Sequence, residues 1–163
     1  MDHRIPDPPL TAADLYEADY YAWVLGQAAA LRALAGAGGA GLPLDLENLA
    51  DEVEDMGRSQ LRGVLRLIEQ VLIHLLKLRA APDALPARHW RREISNFRRE
   101  LRSDFTRSMR PRVLEALPDR YQIARNRTLS ALEGEVADLE QRLPADCPWT
   151  LDQILSADDP DRV

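Results

Sequence analysis

The feature that most constrains this chain is an unbroken helical pattern from Asp45 to about Arg79, free of proline, that starts acidic and ends apolar. At about 1.5 Å per residue it predicts a helix of roughly 50 Å, longer than a small domain is wide. A helix of that length must bury a stripe against other helices, so the expected class is all-α. The stripe reads Leu46, Leu49, Val53, Met56, Gln60, Val64, Leu67, Val71, Leu75 and Leu78. From Leu61 a second row joins it: Leu65, Ile68, Leu72 and Leu76. The apolar face is therefore narrow at first and broad later. The second half should form the bundle core, and the first half should be covered less fully, or by another chain.

The flanking sequence fills out an all-α helical bundle of about four long helices plus a short C-terminal helix. Residues 1–10 carry three prolines and should be loose, and 11–155 should form one domain before an acidic tail, 156–163. A first helix reaches about Ala35, with Tyr20, Trp23, Val24, Gln27, Leu31 and Leu34 at three-and-four spacing. The glycine-rich stretch 36–43 then reads as a connector. It lacks the preceding strand and the Gly-Lys-Ser/Thr ending of a phosphate loop. Asp45 is placed to cap the long helix. Pro86 opens a third helix with Trp90, Ile94, Phe97, Leu101 and Phe105 inward, and Pro111 should end it. A short piece, Val113–Leu117, precedes a last long helix opened by Pro118, with Tyr121, Ala124, Leu129 and Leu132 inward. Thr150 and Gln153 have capping-box spacing for a terminal helix through Leu155.

In order along the chain, several blocks resemble one bacterial family. They are Tyr16-Glu17-Ala18-Asp19-Tyr20-Tyr21-Ala22-Trp23, then Leu46 through Ser59, then His74-Leu75-Leu76-Lys77, Ser108-Met109-Arg110-Pro111, and Cys147-Pro148-Trp149-Thr150-Leu151. Over about Leu15 to Leu155 the chain resembles the "domain of unknown function 29" family. The charged stretch Glu133 to Leu143 departs from that family's usual link. The resemblance implies an all-helical bacterial domain and no particular activity.

A net charge of -6 gives no global reason to bind nucleic acid or an anionic membrane. One cysteine, Cys147, cannot form a disulfide within the chain, which fits a reducing cytoplasm. The N-terminal residues contain no apolar run of signal-peptide kind, and the apolar run Val71–Leu76, interrupted by His74, is too short for a bilayer. No cofactor motif is present, and a cytoplasmic location without membrane association is expected.

Three patches carry chemical interest. The acidic helix start holds Asp45, Glu47, Asp51, Glu52, Glu54 and Asp55 with no base among them. Acids favour a helix N-terminus, so dipole compensation explains them; metal binding would want a Glu-x-x-His step that is missing. Between Arg88 and Arg112 lie nine arginines against Glu93, Glu100 and Asp104. Arg91, Arg92, Arg98, Arg99 and Arg102 form a candidate basic patch that could bind phosphates or pair with the acidic segment, within or between chains. Finally, Gln27 and Gln60 interrupt apolar stripes, with Gly57 and Gly63 beside Gln60. They could fix helix register, or line a polar pocket of Tyr20, Gln27, Glu52, Gln60 and His74. A buried amide left unpaired costs about 1–3 kcal/mol, so either reading demands partners.

These readings favour a non-enzymatic interaction module that self-associates as a homodimer and meets an unidentified protein partner. A nucleic-acid-associated protein using the third helix is the alternative. A metal-assisted hydrolase using Glu47, Asp51, Glu52 and His74 comes third.

Overall fold

The computed structural model describes residues 11–38 and 43–156. The expectations for 1–10, for 39–42 of the glycine run and for 157–163 of the tail lie outside the described residues. Among the described residues every regular element is helical: α1 (Ala12–Ala18), α2 (Tyr20–Gly36), α3 (Leu46–Ala80), α4 (Ala87–Asp104), α5 (Arg110–Leu132), α6 (Leu139–Arg142) and α7 (Leu151–Leu155), with a 3-10 turn at Arg107–Met109. Four of these are long, so the all-α class and the count of about four long helices hold. The chain gathers into two compact units. The first holds residues up to Ser59 together with Thr106–Ser108, and the second holds Gln60–Phe105 and residues from Met109 onward. The two units divide α3 between Ser59 and Gln60.

In the first unit the expected opening helix is two helices. Thr11 caps α1 through a capping box, its hydroxyl accepting from Asp14 N–H while the Asp14 carboxylate accepts from Thr11 N–H at 2.9 Å. Asp19 leaves helical geometry (φ -150°, ψ 78°) and its carboxylate accepts from Ala22 N–H at 3.0 Å, so one residue ends α1 and caps α2. The buried face of α2 is Tyr21, Val24 and Ala28, whereas Leu34 is exposed. The stripe predicted from Tyr20 and Leu34 was thus rotated by about one residue. The small residues Ala28 and Gly57 explain the shift, because they let α2 and α3 approach closely. A Cβ added to Gly57 would stand 3.2 Å from Val24 Cγ1 and 3.6 Å from the Tyr21 ring. Asp45 caps α3 as expected, its carboxylate accepting from Asn48 N–H at 3.2 Å.

The second unit has the broad core that the double apolar row demands. Val64, Leu65, Ile68, Val71, Leu72, Leu75, Leu76 and Leu78 of α3 are buried. Trp90, Ile94 and Leu101 of α4 and Val113, Tyr121, Ala124 and Leu132 of α5 join them. The short Val113–Leu117 piece and the Pro118-opened helix are in fact one helix. Pro111 occupies its first turn, where the missing N–H is not needed, and Pro118 lies inside. Pro118 and Leu114, whose carbonyl loses its intrahelical hydrogen bond, are both exposed, where losing that bond costs least. The segment between α5 and α7, residues 133–150, is stapled to α5: Tyr121 Oη donates to Pro144 O at 2.7 Å and Gln122 Nε2 to Ala145 O at 2.6 Å. It contains the short α6. Thr150 and Gln153 form the expected capping box on α7.

The two helical glycines of α3 should respond in opposite ways. Around Gly63 nothing lies within 4 Å of an added Cβ, so Gly63→Ala should stabilise by about 0.5–1 kcal/mol through helix propensity. Gly57→Leu should destabilise by about 1–3 kcal/mol by driving α2 off α3. Chemical denaturation of both variants measures the contrast.

Candidate functional site

The five polar residues of the candidate pocket fall in both units. In the first, Tyr20 stacks on Trp23 (ring centroids 5.7 Å, 23° between planes), and Tyr16 meets both rings edge-on. Gln27 is half-buried and Glu52 exposed. In the second, Gln60 is half-buried, and its Oε1 is buried without a hydrogen-bond partner. His74 tilts against Phe97 with centroids 5.6 Å apart, and its Nδ1 donates to Gln70 O at 2.8 Å. Burial pushes the His74 pKa below the ordinary value, outweighing that hydrogen bond. The ring is therefore a neutral packing residue that has already used one nitrogen.

Of the five arginines of the candidate basic patch, four are exposed and one is buried. Arg91, Arg92, Arg99 and Arg102 are exposed on α4, as is Arg88. At about 100° per residue these five fall within roughly 100° of arc, with Glu93, Glu100 and Asp104 on the opposite side. Arg98 sits about 20° beyond Arg91, at the edge of this arc next to the inward row. It is 3 % exposed, and it donates from Nε to Ile154 O at 3.0 Å and from Nη2 to Gln153 O at 2.9 Å. Those are carbonyls at the end of α7, where a cation offsets the helix dipole. Arg98 is thus a structural clamp between α4 and α7. Its role was legible in the spacing, since Ile94, Arg98, Leu101 and Phe105 step by four, three and four along the inward row.

The acidic start of α3 is met within the first unit by cations the sequence reading did not assign. Arg32 Nη2 donates to Asp51 at 2.7 Å and to Glu54 at 2.5 Å, and Arg58 pairs with Glu54 and Asp55. Such exposed pairs are screened by solvent and contribute little to stability. Glu47 and Glu52 have no ion pair among the described residues. No group of three or more His, Cys, Asp or Glu among the described residues is arranged to hold a metal ion. Burial pushes the Cys147 thiol pKa up, and its Sγ donates to Trp149 O at 3.4 Å, so it is not an activated nucleophile.

Two blocks singled out by sequence meet at Asp19. Besides capping α2, its carboxylate accepts from Ser108 N–H at 3.1 Å and Ser108 Oγ at 2.5 Å. Burial alone would raise the Asp19 pKa, but hydrogen bonds from Ser108, Ala22 and Thr106 together hold it below the ordinary value of 3.8. The Ser108-to-Asp19 link joins residues 89 positions apart, both in the first unit.

Four long helices, an apolar core and no strand among the described residues define an all-helical domain. Comparison with known proteins places it further. The profile of the domain of unknown function DUF29 matches residues 15–158, and the chain belongs to that family. It is also similar to an α-helical protein of unknown function from Rhodospirillum rubrum, whose crystal structure shares 33 % identity over 93 % of this chain and 92 % of that chain, with a TM-score of 0.80. A comparison with curated proteins gave no match. No helix among the described residues is long and apolar enough to cross a membrane.

Two outcomes are expected at these residues. Gln60→Leu replaces a buried acceptor that has no donor, so it should raise stability, by about 1–2 kcal/mol; equilibrium denaturation reads this directly. Ser108→Ala removes one of the restraints that keep Asp19 ionised, the hydroxyl hydrogen bond, and leaves the backbone N–H bond in place. Because the folded pKa is depressed, that stabilisation is present above the unfolded value and lost as pH falls through the folded one. The variant should therefore lose stability at neutral pH and begin acid unfolding at higher pH than the parent, as seen in a pH series followed by circular dichroism.

Proposed function

We propose that this chain is a non-enzymatic interaction module of the bacterial cytoplasm that works as a homodimer, with a second copy covering the first half of α3. The observation that carries the reading is the exposure of Leu49 and Met56, at 40 % and 51 %. Seven residues apart, they share one face of α3, two turns from each other. Tyr16, Leu25, Leu34 and Leu44 of the same unit are also exposed, against Leu85 and Leu114 in the second unit. Exposed large apolar side chains concentrated in one part of a molecule mark an interaction surface.

Charge selects the occupant. Glu52 flanks Leu49, about 60° from it around α3, and lacks an ion pair among the described residues, while Arg88, Arg91 and Arg102 of α4 also lack them. A second copy supplies the missing sign to each. In a twofold interface the same contact is made twice, so a charge of one copy that meets its opposite on the partner is answered in both copies. The single cysteine fits a reducing compartment.

The arginine stripe of α4 favours a second reading, in which the same face follows a nucleic-acid backbone. The two are separable. Light scattering should give twice the 18.4 kDa chain mass at micromolar concentration, falling to the chain mass in Leu49→Glu/Met56→Glu with the fold intact by circular dichroism. A monomer at high micromolar concentration would defeat the dimer. Salt-dependent retention on DNA, lost in Arg91→Ala/Arg102→Ala, would support the nucleic-acid reading instead.

A further inference from the structure

Glu69 lies in the middle of the α3 core row, where Leu65, Glu69, Leu72 and Leu76 step by four, three and four. Its side chain is 5 % exposed. A carboxylate that deep must be paired, and it is: Arg127 Nη1 donates at 2.5 Å and Arg120 Nη1 at 3.5 Å, both from α5. The pairing is unequal, because the Arg120 contact is long and its Nε is buried without an acceptor. Arg62 and Arg66 of α3 stand beside this pair. The four arginines, Leu65 and Glu69 line a cavity of about 390 Å³ within the second unit.

The charge of this cavity does not balance. Four guanidinium groups face one carboxylate, which leaves three positive charges in a concave wall. Arg62 and Arg66 are four apart on one helix face, an arrangement that repels unless an anion sits between them, and neither has an ion pair among the described residues. Arginine is the residue suited to this, since its planar fork matches phosphate oxygens two at a time. The fixed carboxylate also has a use, because it holds Arg127 and Arg120 in place before any ligand arrives, which lowers the ordering cost of binding. The volume is at the lower end of small-ligand sites and suits a compact head group more than a whole nucleotide.

We infer that the cavity of Arg62, Arg66, Arg120 and Arg127 around Glu69 binds a small phosphate-bearing anion, with a diphosphate as the group that fits its two arginine pairs. Arg62 and Arg66 take one phosphoryl group and Arg120 and Arg127 the other, while Glu69 keeps the second pair oriented. The α4 stripe is a different surface, and this site does not depend on dimer formation.

Inorganic pyrophosphate is the probe. Calorimetry on the full chain should show saturable binding at one per chain, weakening with added salt, and pyrophosphate should raise the melting temperature. Arg62→Ala/Arg66→Ala, two exposed positions where alanine suits the helix, should keep the circular dichroism spectrum and weaken binding by about tenfold or more. Glu69→Gln removes the opposing charge and should bind at least as tightly. No saturable binding would overturn the proposal, as would equal affinity in the double variant. Sulfate binding as tightly as pyrophosphate at matched ionic strength would reduce the cavity to unselective positive charge. Displacement of pyrophosphate by an oligonucleotide at lower phosphate concentration would reassign it to a nucleic-acid backbone.

Discussion

The buried row on the second half of α3 is the constraint on which the second unit depends. Val64, Ile68, Val71, Leu72, Leu75 and Leu76 are essentially without solvent contact, and burying each contributes about 1.5–3 kcal/mol. That row is wide enough to need neighbours on more than one side. Trp90 and Phe97 bring α4 to it, with the Lys77 ammonium 5.9 Å from the Trp90 ring centre and His74 against Phe97. Glu69 brings α5 to it through Arg120 and Arg127. In turn, α4 holds α7 through Arg98, and α5 holds the 143–145 connector through Tyr121 and Arg125. Much of the unit's architecture can be followed outward from one helix face.

Polar residues inside apolar rows are the chemical theme of this unit. Glu69, Arg98 and Thr128 are buried, and each has a hydrogen-bonded answer: two guanidinium groups, two carbonyls, and the Ala124 carbonyl 2.9 Å from the Thr128 hydroxyl. Gln60 is the exception, with a buried oxygen and no donor. Paired polar groups of this kind restrict which neighbours a helix can accept, because a wrong partner strands a charge at a cost of several kcal/mol. They fix which helix faces meet more than they add stability.

The first unit follows a different economy. Its buried apolar residues are few among the described residues (Tyr21, Val24, Ala28, Leu46 and Ala50), and Gly57 lets two helices come close. Specific polar closure does part of the work through Asp19, which caps α2 and receives Ser108. A thin core of this kind leaves large side chains outside, and Leu49 and Met56 are where that is most evident.

The all-α class, the extent of α3, its asymmetry and its caps were all legible in the sequence, because hydrophobic period and capping chemistry are local. The family blocks were legible for the same reason. What the chain could not disclose was what each residue meets once the helices pack. Arg98 and Arg99 look alike in a run of arginines, yet one grips the end of α7 and the other faces solvent. Pro118 reads as a helix start, and only an exposed position on a long helix makes it an interior residue. Arg32 as the partner of Asp51 and Glu54, Ser108 as the partner of Asp19, and Arg120 and Arg127 as the partners of Glu69 are meetings between residues 19 to 89 positions apart. Period and propensity act over one or two turns; the pairing of charges across helices is decided only when burial has chosen which faces meet.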